Sequence, residues 1–348
     1  MGKVGQYLGE HAARNAVRTL AAIVRVNPVV VLLMEGAFSL SAMIPDHIIQ
    51  IGRAISLMTG FVLPQGLDDC YQAGCVMAGR VISMYGHLAA ITHWMLENEP
   101  PASEAERWGA FDAGAADTFG NFHRVYVAGN WSYGVPEAPD FVVYWRRLHA
   151  MRKTNHAMVL GYHGYTKGNP DDAQYLERRP WTMWDPALVA AGLPLPEERI
   201  MTEAGYDDGT ETNGYRHNWT SEDYAEYLRK LPELVPEALG FVVFGYGMTD
   251  DWIDKGFDIE GDATVLAGMA AAKKEEGETP MPNGLLAEQF PTQYKKWIEA
   301  GGDPEGDFRR HLLGLGELLA TQEAFGALCE QGKSVFEQAK QVGLRLPK

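Results

Sequence analysis

Eight short apolar runs, separated by longer amphipathic stretches, limit how this chain folds more than any other feature. The runs lie near residues 4–10, 28–36, 48–55, 88–99, 123–132, 156–165, 199–206 and 238–247. Each has the length of a buried strand, whereas the stretches between most of them have the 3.6-residue period of a helix. Strand and helix alternating eight times over residues 1–276 predicts an α/β fold, the (β/α)8 or TIM barrel.

Two observations favour the barrel over a doubly wound open sheet, which is the alternative fold for this pattern. The first strand–helix turn has no GxGxxG or GxxxxGKS/T sequence, which a nucleotide-binding open sheet normally carries there. Polar and aromatic residues also gather where the predicted strands end, at Glu35, Arg53, 97–99, 130–132, 163–165, Glu203 and Tyr246. In a barrel these ends meet at one mouth, where active sites are found.

The composition is that of a folded globular protein, with 46% hydrophobic and 22% charged residues in a chain of 348. The net charge is −16, and no stripe rich in lysine and arginine is visible. Because an acidic surface repels phosphate backbones, nucleic acid is not expected as a partner. An uncharged or cationic substrate suits such a surface better.

The three cysteines, Cys70, Cys75 and Cys329, form no CxxC sequence, and no HExxH sequence is present. A disulfide framework and a metal site are therefore not expected, and Cys70 and Cys75 are expected to be buried or partly buried thiols on a helix. The N-terminal sequence lacks the features of a secretory signal, and no apolar stretch reaches the roughly 18 residues that span a bilayer. We expect a protein without a membrane span, either cytoplasmic or associated with a phage.

Two glutamates indicate the chemistry. Glu99 follows the fourth predicted strand, and Glu203 lies in the seventh. Two carboxyl groups that face each other across a barrel mouth can hydrolyse a glycosidic bond, because one protonates the leaving oxygen and the other attacks the anomeric carbon or activates water. The apolar residues before Glu99 are expected to desolvate it and so to raise its pKa. Glu97, two residues earlier, remains an alternative proton donor.

These positions resemble the clan A glycoside hydrolases. The triplet Asn98, Glu99 and Pro100 is similar to the acid/base motif of that clan, and Glu203 occupies the place of its nucleophile at strand seven. The resemblance implies a (β/α)8 barrel in which Asn98 binds the 2-hydroxyl of the sugar. It covers residues of about 1–275 and does not identify one family within the clan.

Further residues at the strand ends complete the predicted carbohydrate site. Arg53 resembles clan A arginines that hold the nucleophile, and both Arg53 and Tyr165 are candidates for keeping Glu203 ionised. Sugars have hydroxyl edges and apolar faces, which suit hydrogen-bonding and aromatic side chains. The remaining predicted substrate-binding residues are Asn130, Trp131, His163, Tyr246 and Trp252, the last as a substitute for the tryptophan that clan A members often carry after strand eight.

The sequence thus predicts a glycoside hydrolase for an oligo- or polysaccharide that retains anomeric configuration, without cofactor, using Glu99 as acid/base and Glu203 as nucleophile. A non-catalytic carbohydrate-binding barrel is the alternative, and a barrel lyase or isomerase with Glu203 as base is a third hypothesis. The sequence after residue 276 reads as a linker and an amphipathic helical extension over 277–348. That extension is expected to pack on the barrel or to contact an assembly or another copy.

Overall fold

All eight predicted strands are present in the computed structural model, which describes residues 3–132, 135–166, 178–207 and 214–272. The strands are β1 (Val4–Leu8), β2 (Val30–Met34), β3 (Ile49–Arg53), β4 (His93–Met95), β5 (Val125–Trp131), β6 (Met158–Thr166), β7 (Arg199–Tyr206) and β8 (Gly240–Tyr246). Each strand pairs in parallel with the next, and β8 pairs with β1, so the sheet closes. The predicted (β/α)8 barrel is confirmed.

Helices alternate with the strands. They are α1 (Ala16–Val26), α2 (Ile55–Met58), α3 (Leu67–Tyr85), α4 (Ala105–Asn121), α5 (Ala138–Met151), α6 (Asp185–Ala190), α7 (Ser221–Leu234), α8 (Asp250–Asp254) and α9 (Ala263–Ala271). Short 3₁₀ segments cover Ala12–Asn15, Glu35–Met43, Ala102–Glu104 and Tyr215–His217, and a π-helical turn covers Pro180–Trp184. Within the described residues, none of these helices combines the length and the apolar character needed to cross a membrane.

Local sequence signals account for where the helices begin. At the start of α7 the Thr220 side chain accepts a hydrogen bond from the Asp223 backbone N–H, and the Asp223 carboxylate accepts one from the Thr220 N–H. This capping box satisfies two backbone donors that the first turn leaves unpaired. Thr220 and Asp223 therefore fix where α7 begins.

Apolar side chains from alternate strand positions fill the barrel interior. Residues that pair across parallel strands share one orientation, since side chains alternate between the two faces. The inward set includes Tyr7, Leu32, Ile51, Met95, Val127, Val159, Ile200, Val242 and Phe244. The interior is therefore a packed core, and only the residues at the carboxyl ends of the strands can form a site.

Three strands carry one extra residue near their carboxyl ends. On β7, Met201 pairs with Tyr162 but Glu203 pairs with the next residue of β6, so Thr202 is extra. Asn130 is extra on β5, and Gly245, with φ of 111°, lies at the corresponding place on β8. Such β-bulges reverse the orientation of every side chain that follows.

Helices α3 and α4 contact each other closely, backbone to backbone. A Cβ atom added to Gly114 would lie 2.0 Å from the Tyr71 carbonyl oxygen, and one added to Gly74 would lie 2.0 Å from the Phe111 oxygen. The absence of side chains at these two positions is what allows the helices to approach. Cys70 and Cys75 lie on α3 as free thiols, buried and partly buried as predicted.

Two compact units divide the described chain. Residues 3–14 and 26–272 form the unit that contains the barrel, and residues 15–25 belong to the other. The predicted boundary at residue 276, the extension over 277–348 and Cys329 lie outside the described residues. The last described helix, α9, begins after Asp262, whose side chain accepts a hydrogen bond from the Val265 backbone N–H and caps the first turn.

Glycine-to-alanine changes on α3 and α4 are expected to have opposite effects. Gly114→Ala should lower the free energy of unfolding by about 1–3 kcal/mol, because the added methyl group meets backbone that cannot move aside. Gly79→Ala, on α3 where a Cβ meets no atom within 4 Å, should raise it by up to about 1 kcal/mol through helix propensity. Urea unfolding of both variants measures this, and equal shifts would contradict the close contact.

Candidate active site

The two predicted catalytic glutamates lie at the same end of the barrel. Glu203 is within β7, and its side chain is 8% exposed. The bulge at Thr202 turns Glu203 towards the interior, because plain alternation from inward-facing Ile200 would place it on the outer face. Both neighbouring strands show this shift, since Ala204 pairs with Val243 whereas Met201 pairs with Phe241. The backbone of β7 thus determines that Glu203 faces the mouth.

Two side chains bind the Glu203 carboxylate. Arg53 Nη1 lies 3.0 Å from Glu203 Oε1, and the Tyr165 hydroxyl donates to Oε2 at 2.7 Å. Arg53 and Tyr165 are both buried. A guanidinium group and a hydroxyl donor thus bind the two oxygens of the Glu203 carboxylate and fix its orientation. The sequence predicted both neighbours, and the structure brings both into contact with Glu203.

His163 lies between the two glutamates. Its Nδ1 atom is 3.1 Å from Glu99 Oε1 and 3.6 Å from Glu203 Oε2. Because both oxygens lie near the same atom, the distance between them cannot exceed the sum of these two distances. The His163 ring is fully buried, so it holds Glu99 and Glu203 at one fixed place in the mouth.

The backbone of Glu99 is held in an unusual conformation. Its φ angle is 54°, in the left-handed region that side chains other than glycine rarely adopt. The Glu99 backbone N–H donates to the Asn130 carbonyl oxygen at 3.0 Å. Asn130 is the extra residue of the β5 bulge and is itself at φ of 46°. The bulge on β5 therefore anchors the backbone that carries Glu99.

A buried carboxylate on α4 holds that bulge. Asp112 Oδ2 accepts from the Gly129 backbone N–H at 3.0 Å and from the Tyr144 hydroxyl at 2.5 Å, and Oδ1 accepts from the Tyr126 hydroxyl at 2.6 Å. Burial raises the pKa of Asp112 to about 6. Asp112 is thus connected to the Glu99 backbone through Gly129 and Asn130.

The electrostatics of the β4 end differ from the sequence prediction. Glu99 was expected to be desolvated with a raised pKa, but its side chain is 44% exposed, and the hydrogen bond with His163 lowers its pKa. That prediction is wrong because the residue extends past the apolar run into the mouth. Burial instead raises the pKa of Glu97, to about 7. The pKa of Glu97 is therefore raised and that of Glu99 is lowered, although the two residues are only two positions apart.

The bulges also explain why three predicted substrate-binding residues do not face the mouth. Trp131 pairs with outward-facing Tyr162, is fully buried, and packs edge-on against Tyr144 of α5 at 5.0 Å. Tyr246 pairs with Leu8 beyond the β8 bulge and is also fully buried. The Asn130 amide donates to the Val127 carbonyl at 3.0 Å, inside the strand layer. Contact of these three side chains with a sugar stays a prediction.

Asn98 and Trp252 are placed less deeply. Asn98 is partly buried and lines a pocket beside Arg53. Trp252 is partly buried against the upper core, with its ring 5.3 Å from Phe244 and 5.4 Å from Phe257. Both remain predicted substrate-binding residues.

Aromatic residues of the loops after β6 and β7 pack against helices. Trp184 is buried and stacks on Phe141 of α5 at 4.2 Å, and Tyr215 is buried and stacks on Tyr224 of α7 at 4.2 Å. These two rings hold the loops against the helix layer. Residues 167–177 and 208–213 of these loops lie outside the described residues.

Sequence reasoning missed Tyr7. This residue of β1 is buried, points into the barrel, and makes a side-chain hydrogen bond with Arg53. Burial raises its pKa well above the ordinary value, so the hydroxyl stays protonated. One sequence signal could have indicated Tyr7. It lies two residues after Gly5 in the first predicted strand, so the two residues share one face of that strand.

The described residues contain no group of three or more histidine, cysteine, aspartate or glutamate side chains placed to hold a metal ion. The chemistry available at the mouth is that of two carboxyl groups, an imidazole, a guanidinium and two tyrosine hydroxyls. Such a set can transfer protons and stabilise a positively charged centre between the carboxylates.

Known structures share this fold. A family 39 glycoside hydrolase from Bacteroides cellulosilyticus WH2 is similar with a TM-score of 0.51 at 13% identity, over 78% of this chain and 63% of that one. A β-mannanase from Thermomonospora fusca has a TM-score of 0.43 at 13% identity, over 74% of this chain and 82% of its own. A β-glucanase from Saccharophagus degradans has a TM-score of 0.45 at 13% identity, over 79% and 89%.

At 13% identity, the likeness to the family 39 enzyme shows that this chain shares the fold of that protein. The chain spans 63% of the length of that enzyme. No model of a known protein family matches the sequence, and no curated protein sequence matches it.

Asp112 is expected to make stability depend on pH. Its pKa is about 6 in the folded protein against an ordinary value of 3.8. A raised carboxyl pKa means that the folded state binds the proton more tightly, so the stabilisation is complete below about pH 4 and is lost as the pH rises through about 6. The loss is about 3 kcal/mol by pH 7.

Urea unfolding between pH 4 and 7 measures this loss, with Asp112→Asn as the comparison. The variant has no proton to release at this position, so its free energy of unfolding should fall less steeply with pH than that of the unaltered protein. Glu97 titrates in both proteins and cancels in the difference. Parallel pH curves would show that burial does not perturb Asp112.

Proposed function

We propose that this protein is a retaining glycoside hydrolase, with Glu203 as nucleophile and Glu99 as acid/base. The observation that carries the proposal is the contact of both carboxylates with one atom, His163 Nδ1, at 3.1 and 3.6 Å. Retaining enzymes hold their two carboxyl groups about 5–5.5 Å apart, and inverting enzymes about 6.5–9.5 Å. The sum of the two distances is the upper limit of the separation between these oxygens, and that limit includes the retaining separation and excludes all but the lower edge of the inverting range.

Glu203 has the surroundings of a nucleophile. Arg53 and the Tyr165 hydroxyl each bind one of its oxygens, and its low exposure excludes competing water. In the first step a Glu203 oxygen attacks the anomeric carbon, and the bond from that carbon to the leaving oxygen breaks. Glu99 gives its proton to the leaving oxygen. The sugar is then joined to Glu203 as an ester.

Glu99 has the surroundings of a group that works in both directions. Its exposed side chain can reach a leaving oxygen and an incoming water. In the second step the Glu99 carboxylate takes a proton from water, the water oxygen attacks the anomeric carbon, and the ester bond to Glu203 breaks. The hydrogen bond with His163, which lowers the pKa of Glu99, suits this base step. A bound sugar that covers Glu99 removes water and raises its pKa for the acid step.

The fold of the family 39 glycoside hydrolase supports the same activity class for this chain. We take the substrate to be a carbohydrate with an O-glycosidic bond. The non-catalytic carbohydrate-binding barrel is less well supported, because a binding site gains nothing from two carboxylates that contact the same imidazole nitrogen.

Substitution of the two glutamates tests the proposal. On a panel of aryl glycosides and neutral oligosaccharides, Glu203→Gln should lower kcat by at least about 10³-fold, because no covalent intermediate can form. Glu99→Ala should lose about 10²–10⁴-fold on substrates with poor leaving groups and much less on activated aryl glycosides, which need no proton donor. Added azide should restore turnover of Glu99→Ala and yield a glycosyl azide of retained configuration.

Glu226→Gln, on the exposed surface of α7, is the control and should keep full activity. A first-formed product of inverted configuration, followed by NMR, would contradict the retaining mechanism. If no glycoside is cleaved while sugars bind equally to the unaltered protein and to Glu203→Gln, the protein is a binding barrel and the proposed activity fails.

A further inference from the structure

A pocket of about 530 Å³ opens beside the carboxylate pair. It lies between the segment after β3, the end of β4 and the first turn of α4, and we name it the β3–β4 pocket. The lining residues that matter here are Arg53, Val62, Glu97, Glu104, Arg107 and Trp108. Sites for small molecules usually measure about 300–1,000 Å³, so this volume suits a ligand of one or a few rings.

The pocket adjoins the candidate active site through two of its lining residues. Arg53 lines the pocket, and its Nη1 atom binds Glu203 Oε1 at 3.0 Å. Asn98, which also lines the pocket, immediately precedes Glu99. A ligand in the pocket would therefore contact residues that are next to the two carboxylates.

One part of the pocket wall is apolar and faces solvent. Val62 is 82% exposed, and Ile55 is also exposed. The Phe61 ring lies beside them and contacts the rings of Trp108 and Phe111 at 6.3 and 5.4 Å. Apolar side chains that gather at the edge of a cavity gain stability when a ligand covers them. The C–H face of a sugar ring is a surface of this kind.

The polar groups of the pocket include one carboxyl oxygen that is available to a ligand. Glu97 Oε1 accepts from the Asn98 backbone N–H at 2.9 Å, and within the described residues Oε2 has no hydrogen-bond partner. Arg107 is held in place, because it binds Glu104 at 2.6 Å and donates to the Pro64 carbonyl at 3.1 Å. Burial raises the pKa of Glu97 to about 7, so near neutral pH its carboxyl group can both donate and accept.

The charges of the pocket are balanced. Arg53 and Arg107 supply two positive charges, and Glu97 and Glu104 supply two carboxyl groups. Each arginine is bound to a carboxylate, namely Glu203 and Glu104. Because both arginines are paired, an anionic ligand would find no unpaired positive charge, and burial disfavours the charged form of Glu97 that a cationic ligand would need. An uncharged polyhydroxyl ligand would find hydrogen-bonding groups.

We propose that the β3–β4 pocket binds an uncharged sugar unit next to the one whose bond is cleaved, with Glu97 as the residue that hydrogen-bonds it. The proposal rests on the proposed glycosidase function and makes it more specific: the substrate is a chain of neutral sugars. Glu97 then determines the preference for longer chains, and Glu99 remains the acid/base.

Kinetics on neutral oligosaccharides of two to six units test the pocket. The value of kcat/KM should rise at least about tenfold at the length that first fills the pocket, which corresponds to about one good hydrogen bond. Glu97→Leu should lose that rise, so that the ratio of kcat/KM on the longest substrate to kcat/KM on the shortest falls by at least about tenfold. Glu97→Gln, which still donates and accepts, should keep most of the rise. Glu106→Leu, an exposed position of α4 outside the pocket lining, is the matched control and should resemble the unaltered protein.

The outcomes separate the pocket from the function. A rise with chain length that survives in Glu97→Leu overturns the pocket assignment while the glycosidase function stands. Loss of activity on every substrate, the shortest included, makes Glu97 the proton donor and also overturns the assignment. Thermal melting of Glu97→Leu checks that the variant is folded.

Binding to Glu203→Gln provides a measurement that needs no turnover. Calorimetry of Glu203→Gln with the same oligosaccharides should give an affinity that increases with chain length. The double variant with Glu97→Leu should bind the longer chains about tenfold more weakly. If the affinity does not depend on Glu97, the pocket proposal fails whether or not the protein hydrolyses sugars. If it does depend on Glu97 while no glycoside is cleaved, only the proposed hydrolysis fails.

Discussion

The orientation of side chains along parallel strands is the constraint on which the candidate site depends. Paired residues of neighbouring strands face the same way, so one extra residue in a strand reverses all those beyond it. Thr202 is such a residue on β7, and it turns Glu203 towards Arg53 and Tyr165. The bulge at Asn130 has the opposite result, since it directs Trp131 away from the mouth. A β-bulge thus turns Glu203 into the site on β7 and turns Trp131 away from it on β5.

The buried network around Asp112 connects the helix layer to the site. Asp112 binds the Gly129 N–H, the next residue Asn130 accepts from the Glu99 N–H, and Glu99 contacts His163. A left-handed conformation at a non-glycine residue costs of order 1–3 kcal/mol and persists only where surrounding contacts fix it. The bulge on β5 provides such contacts for Glu99. Its carboxylate is therefore positioned by backbone and not by side-chain packing.

Three carboxyl groups near the mouth differ in their surroundings, and these differences support the separate roles proposed for them. Glu203 is buried against a guanidinium and a hydroxyl, Glu99 is half exposed beside an imidazole, and Glu97 is partly buried with one free oxygen in the β3–β4 pocket. Environments that separate the ionisation of neighbouring carboxyl groups are what allow one fold to hold a nucleophile and a proton donor together. The proposed division between catalysis and sugar binding follows from these surroundings.

The sequence by itself determined the barrel and the two strand ends that carry Glu99 and Glu203, because burial of alternating strands and helices imposes local periods that are visible in one dimension. It also indicated Arg53, His163 and Tyr165, which lie at strand ends and meet Glu203 or Glu99 in the structure. Only the tertiary structure decided which strand-end side chains face the mouth. A bulge depends on the register between two strands distant in sequence, and the pKa of Glu99 or Glu97 depends on the neighbours and the water that folding brings or removes.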